Sequence, residues 1–257
     1  MYGKVAEGEN SWIYKKLDSS TAYLKFGTFA FWNSDFNWKN FIDSSFALIN
    51  KQQFQNLVID LRGNEGGSGE IRDYILSMLT DKPLQNERNS INCYRYLVIP
   101  DSLNQYLSTW DRSFRQPKNA DNYILNEIGL YQNKIQVDDH PILPSKNNFK
   151  GNTYLLVDAV CSSATFGLAW TFQYNRLGKI IGEPTGGTKQ GLNGSEMFFF
   201  TMPSSNIEID IPLIYFYTKN VKDEGVIPDV IIKLKQKDVY DNIDPVLDYV
   251  LKSVNLK

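Results

Sequence analysis

The chain has 257 residues, 42% of them hydrophobic and 22% charged. These values exclude a disordered or fibrous protein and favour one α/β domain with insertions over two domains. With 27 basic and 29 acidic residues the formal charge is −2, which excludes the electrostatic footprint of a nucleic-acid binder.

Two cysteines and one histidine exclude a disulfide framework and any site built from several imidazoles. No metal or cofactor is expected. The longest apolar runs, such as Met197 to Met202, are too short to span a bilayer. The start, Met1-Tyr2-Gly3-Lys4, has no apolar signal segment, so the chain is cytoplasmic or has lost a leader.

In chain order, Trp12-Ile13-Tyr14 and Tyr23 to Phe29 read as strands around a turn at Leu17-Asp18-Ser19-Ser20. Trp38, Phe41, Ile42, Phe46 and Ile49 recur at helical spacing, with Asp35 or Ser34 as cap. Leu57-Val58-Ile59-Asp60-Leu61 is a continuous apolar run of the kind found in buried parallel strands. A glycine-rich turn follows at 63–69, then a helix through Ile71, Ile75, Met78 and Leu79.

Residues 81–150 are rich in Asn, Asp, Gln and Lys. They read as a loop-rich excursion from a single core domain, with a strand near 93–99 and a helix near 102–113. The α/β rhythm then resumes. Thr153 to Val157 is a buried strand, 163–174 a helix and Lys179-Ile180-Ile181 a strand. Further strands are expected at 196–202, 207–211 and 213–217, with a hairpin at Pro203-Ser204-Ser205-Asn206, and at Pro228 to Ile232. A last helix is capped by Asp244, opened by Pro245, and buries Val246, Leu247, Val250, Leu251 and Val254.

Three segments carry residues suited to chemistry. Asp60-Leu61-Arg62-Gly63-Asn64-Glu65-Gly66-Gly67-Ser68 lies between a strand and a helix. Glycines there permit positive φ and close approach of a ligand, and free N–H groups hold developing negative charge. Taken alone, such a turn is more often a tight connection, and it lacks the ending of a nucleotide-binding P-loop. Val157-Asp158-Ala159-Val160-Cys161-Ser162-Ser163-Ala164-Thr165-Phe166 places small hydroxyl residues between a buried strand and an apolar helix. Ser162 or Ser163 is either a plain N-cap or a nucleophile beside the positive end of that helix. Cys161 is a rival nucleophile, although a buried thiol fits its position better. The third segment, Gly182-Glu183-Pro184-Thr185-Gly186-Gly187-Thr188-Lys189-Gln190-Gly191, with Glu224-Gly225-Val226-Ile227-Pro228-Asp229 downstream, reads by itself as loops.

In this order the segments resemble the tail-specific, or C-terminal processing, serine peptidases, in the branch that includes the tricorn protease core. Asp60 to Gly67 is similar to that family's Asp-Leu/Val-Arg-x-Asn-x-Gly-Gly, and Cys161 to Ala164 to its Ser/Thr-x-Ser-Ala, with Cys161 in place of the usual hydroxyl residue. Gly182 to Gly187, Gly225 to Asp229 and Asp244 to Leu247 are similar to its Gly-Glu-x-Thr-x-Gly, Gly-Val-x-Pro-Asp and Asp-Pro-x-Leu. The resemblance covers about residues 12–255. It implies an α/β fold of the ClpP/crotonase-like spiral ββα kind. It implies Ser163 as nucleophile, an oxyanion hole from the N–H groups of Ala164 and of Gly66 or Gly67, and Glu224 in the catalytic set.

The base is open. One branch of the family uses a lysine in Thr-x-Gly-Lys, and Lys189 stands one residue displaced from that place. The other uses a histidine upstream of the region covered here. His140 sits in the polar excursion, outside the family motifs. The simplest expectation is a catalytic core whose N-terminal segment, with its histidine, belongs to a longer parent protein. The family often has a PDZ domain before the core; with residue 12 already reading as core strand, none is expected in this chain. The resemblance implies a polypeptide substrate and a periplasmic or secreted parent. The alternatives are a peptide-binding domain without catalysis and, from the fold alone, a crotonase-type lyase, against which the serine and the Pro-Asp motif argue.

Overall fold

The computed structural model describes residues 11–32, 34–85, 90–109, 115–134 and 141–255. The chain runs β1 (Trp12–Lys16), β2 (Thr21–Phe26), α1 (Trp38–Lys51), β3 (Asn56–Asp60) and α2 (Gly69–Ser77). It continues through β4 (Ser90–Tyr94), α3 (Asp101–Asn104), β5 (Leu107–Ser108), β6 (Tyr123–Leu125) and β7 (Tyr131–Asn133). Then come β8 (Asn152–Val157), α4 (Ser163–Tyr174), β9 (Lys179–Gly182), β10 (Gly191–Thr201) and β11 (Glu208–Thr218). The last elements are β12 (Val230–Ile231), α5 (Gln236–Tyr240) and α6 (Pro245–Asn255). The fold is mixed α/β, and among the described residues no helix is long and apolar enough to cross a membrane.

The described residues divide into two compact units, one of residues up to 85, 141–187 and 224 onward, the other of 90–134 and 188–223. The first unit holds a sheet in the order β1-β2-β3-β8-β9-β12. Only β1 is antiparallel to its neighbour; the rest run parallel. All five residues of β3, and all of β8 after Asn152, are buried, as expected for strands covered on both faces. On one face Tyr23, Val58, Tyr154, Leu156 and Ile181 pack with Val246 and Val250 of α6. By the period of two, Leu24, Leu57, Ile59 and Leu155 point the other way, and all four are buried.

Helix α1 buries Ile42, Phe46 and Ile49. Its cap is Asn37, whose side chain accepts the Asn40 N–H at 3.0 Å, not Asp35 or Ser34. The capping chemistry is the expected one, moved along because the first helical residue is Trp38. Helix α6 starts as its sequence indicates: Asp244 Oδ1 accepts the N–H groups of Val246 at 3.2 Å and Leu247 at 3.0 Å.

The second unit is a six-stranded sheet in the order β5-β10-β11-β4-β7-β6, with antiparallel pairs. Ile99, Leu107, Phe198 and Leu213 form its buried cluster. The strands expected at 207–211 and 213–217 are one strand, β11, running through Pro212. Pro212 is accommodated because the register with β10 slips between Gly194 and Met197, and pairing to β4 stops at Ile214. The helix expected near 102–113 is the single turn α3, followed by β5; residues 110–114 lie outside the described residues. The strand expected near 93–99 is β4, ending at Tyr94. The excursion thus contributes four short strands that pair with one another and with the β10–β11 hairpin.

Candidate active site

The turn after β3 is fixed from three directions. Asn64, fully buried, donates from Nδ2 to Phe26 O at 2.8 Å and accepts the Gly66 N–H on Oδ1 at 2.8 Å. Asp158, just past β8, accepts the Gly63 N–H on Oδ2 at 2.9 Å and the Val160 N–H on Oδ1 at 3.0 Å. Arg62 grips Asp60 through Nε at 2.9 Å and Nη2 at 2.7 Å, and Asp244 through Nη1 at 2.8 Å and Nη2 at 2.7 Å. Tyr23 completes the group by donating its hydroxyl to Asp60 Oδ2 at 2.8 Å. These fork-shaped, charge-assisted bonds combine strength with fixed geometry.

Glycine is required at the far side of this turn. Gly66 has φ +106° and Gly67 φ +133°. A Cβ on Gly67 would stand 2.3 Å from Phe29 C, because Phe29 N–H donates to Gly66 O and Ser68 N–H to Phe29 O, both at 2.9 Å. A Cβ on Gly66 would meet Ser163 Cβ at 2.7 Å, Ala164 N at 2.9 Å and Ser162 O at 2.9 Å. The glycine turn therefore lies directly against the start of α4.

Ser163 opens that helix with φ +51°, a region costly for any residue with a Cβ and one that persists where surrounding structure enforces it. Its side chain is exposed, while Ala164 after it is buried. The preceding Ser162 is the N-cap, but its hydroxyl donates to Glu65 O at 2.9 Å and makes no capping bond. The N–H groups of Thr165 and Phe166 return to Ser162 O. Those of Ser163 and Ala164 are leading donors without an intrahelical partner, at the positive end of a 12-residue helix.

Cys161 is fully buried and its thiol donates to Leu61 O at 3.2 Å. Burial pushes the thiol well above its ordinary pKa, so it packs rather than attacks.

The third segment joins the same unit. Thr185 N–H donates to Val226 O at 3.1 Å, and Val226 N–H returns to Thr185 Oγ1 at 2.9 Å. A Cβ on Gly186 would meet Ala159 O at 2.5 Å, and one on Gly225 would meet Thr185 O at 2.3 Å. Asp229 Oδ2 accepts the Ile180 N–H at 2.8 Å, locking β12 beside β9.

The first unit thus brings together Gly66, Gly67, Ser163 and Ala164, and carries Glu224 next to the Gly225–Thr185 contact. Lys189 belongs to the second unit. His140 lies outside the described residues. Gly66 N–H is committed to Asn64, while Gly67 N–H has no protein acceptor among the described residues. Among the described residues no ionisable side chain hydrogen-bonds the Ser163 hydroxyl, and no group of three or more His, Cys, Asp or Glu side chains is placed to hold a metal. The framing roles of Asn64, Asp158 and Asp244 were not read from the sequence. Asn64, Asp158 and Asp244 lie inside the motif segments, but Phe26, Gly63 and Arg62, which they hold, stand 38, 95 and 182 positions away.

The family model of peptidase family S41 matches residues 20–232. No curated protein matches the chain. Among solved structures, mature CPAF complexed with lactacystin aligns with a TM-score of 0.62 at 17% identity, over 91% of this chain and 51% of its own. A candidate peptidase from Parabacteroides merdae gives 0.58 at 16% identity, over 94% and 64%. A candidate S41 protease from Bacteroides fragilis gives 0.54 at 14%, over 95% and 57%. The chain therefore spans between half and two thirds of the length of these three structures.

Proposed function

The chain belongs to peptidase family S41, a family of serine peptidases, and we propose that it carries the nucleophile and oxyanion hole of a serine endopeptidase of the tail-specific type. One observation carries this reading: Ser163, held at φ +51° at the start of α4, faces the backbone of Gly66. In the proposed reaction the Ser163 hydroxyl attacks a peptide carbonyl and its proton passes to a base. The carbonyl oxygen becomes an oxyanion, received by the N–H groups of Ala164 and Gly67. Gly67 is preferred over Gly66 for that role because the Gly66 N–H is already bonded to Asn64. Collapse of the tetrahedral species expels the amine, which takes up the proton, and leaves an acyl-enzyme that water hydrolyses.

The test is covalent labelling with a fluorophosphonate, read by mass spectrometry. Ser163 is the expected adduct site, and Ser163→Ala abolishes it. Without a base bonded to the hydroxyl, labelling of this chain is slow, since the hole and binding contacts alone retain only residual reactivity. Fast labelling lost in Lys189→Ala assigns the base to Lys189, and the same loss in His140→Ala assigns it to His140.

The second reading is a peptide-binding domain without catalysis, which adds a peptide strand to a sheet edge. It is favoured by the Ser163 hydroxyl having no ionisable partner among the described residues. Peptide binding that survives Ser163→Ala, with no labelling of the wild-type protein, selects it.

A further inference from the structure

We propose that Asp244, at the head of α6, is a positioning residue for the oxyanion turn and acts on it through Arg62. The inference rests on the reading of Ser163 and its turn as an acyl-transfer site.

Asp244 does two things with one carboxylate. Oδ1 caps α6 through Val246 and Leu247. Both oxygens receive the Arg62 fork, Nη1 to Oδ1 at 2.8 Å and Nη2 to Oδ2 at 2.7 Å. A neutral acceptor suffices for the first task. The second needs two acceptor oxygens in one plane and a full negative charge.

What lies downstream of Arg62 makes this fork consequential. Gly63 has φ +80°, and a Cβ there would meet nothing within 4 Å, so no side chain of its own and no contact on that side restrains it. Two further glycines at positive φ, Gly66 and Gly67, complete the turn. A segment with so much backbone freedom keeps one shape only if its ends are tied. Asn64 and Asp158 tie it from within. Upstream, the tie is Arg62, whose own N–H and Nε both rest on Asp60 Oδ1, at 3.0 and 2.9 Å. Asp60 is fully buried and rigid in the core, and it takes up one edge of the guanidinium. Asp244 takes up the remaining edge, so that the Arg62 plane is fixed on two sides. Helix α6 is itself anchored on β-sheet residues Val58, Tyr154 and Ile181 through Val246 and Val250. The oxyanion turn is therefore tied, through one guanidinium, to the helix on the sheet's face.

Asp244→Asn separates the two tasks. Asparagine is a good N-cap and leaves α6 in place, but its amide presents donors to Arg62 where the fork needs an acceptor. Two readouts on the full chain apply. In hydrogen exchange, the amides of Gly63, Asn64 and Gly66 exchange about tenfold or more faster in Asp244→Asn, while those of β8 and α6 keep wild-type protection. In fluorophosphonate kinetics, the maximal labelling rate at Ser163 falls about tenfold to a hundredfold with the half-saturating probe concentration unchanged, as for a misaligned group. Arg62→Lys, which keeps the charge and loses the fork, gives the same pattern. Unchanged exchange at Gly63, Asn64 and Gly66 in both variants overturns the proposal, and so does a loss of rate that only tracks a loss of folded protein. Absence of labelling in the wild-type chain counts against the acyl-transfer reading alone, because exchange still reports on the tie.

Discussion

A Cβ added to Gly66 would stand 2.7 Å from the Cβ of Ser163, so the glycine turn and the candidate nucleophile share one small volume. Gly66→Ala pushes a methyl group into Ser163 while straining a residue at φ +106°. We expect fluorophosphonate labelling to drop by about a hundredfold or more, the scale associated with loss of an oxyanion donor, with circular dichroism confirming that the fold persists. Labelling at the wild-type rate would show that the turn has no part in the site.

Ser162 and Ser163 are neighbours with different duties. Ser162 Oγ donates to Glu65 O at 2.9 Å and supports the turn. Ser162→Ala removes that bond, at a cost of about 1 kcal/mol, and slows labelling without abolishing it. Ser163→Ala leaves thermal stability nearly unchanged, since its exposed hydroxyl has no hydrogen-bond partner among the described residues, and it abolishes labelling. A reversed pattern in the two variants would make Ser162 the nucleophile.

Cys161 is expected to be inert. Its thiol is buried, and burial raises its pKa. In the native protein, a thiol reagent at neutral pH modifies it only on the timescale of unfolding. Because the folded pKa lies above the unfolded one, the thiol's contribution to stability is fully present below the ordinary thiol pKa and fades as pH rises above it toward the raised folded value. Rapid stoichiometric modification of Cys161 in the folded state would contradict the burial.

The Asp244 carboxyl is held below the usual carboxylate range. Burial opposes this, and the hydrogen bonds from Arg62 and the Leu247 N–H outweigh it. The folded pKa is depressed, so the contribution to stability is present above the unfolded carboxylate value of about 3.8. It fades as pH falls below that value toward the folded pKa. Acid unfolding of the wild type should thus show a component missing from Asp244→Asn. Superimposable acid titrations of the two proteins would remove the linkage.

Which parts of this architecture were legible follows from how local their causes are. β3 and β8 are continuous apolar runs buried on both faces, and α6 declares itself through Asp244 and Pro245 at adjacent positions. The second sheet does so only in its β10–β11 hairpin, whose apolar runs flank Pro203 to Asn206. Tyr131-Gln132-Asn133 and Tyr123-Ile124-Leu125 are too short to show a period, and Cys93 meets Tyr215 only after the chain has passed through the other unit. At the site, the motif residues Gly66 and Ser163 stood out because glycine turns and serines before helices are local patterns. That Asn64 also reaches Phe26 O, or that Asp158 holds Gly63, depends on rotamers and strand order that no local pattern records.

Arg62 and Asp244 are separated by 182 positions in the chain, and that separation sets an order of events. The parallel pairing of β2 with β3 is available early, but the guanidinium reaches its second carboxylate only after one of the longest loop closures in the molecule. Contacts of such high sequence separation slow folding and tend to form late. On the ribosome, where synthesis proceeds at roughly 5–20 residues per second, the turn beside Ser163 waits about ten seconds or more for its last partner. A nascent chain carries the serine long before it carries the finished geometry around it.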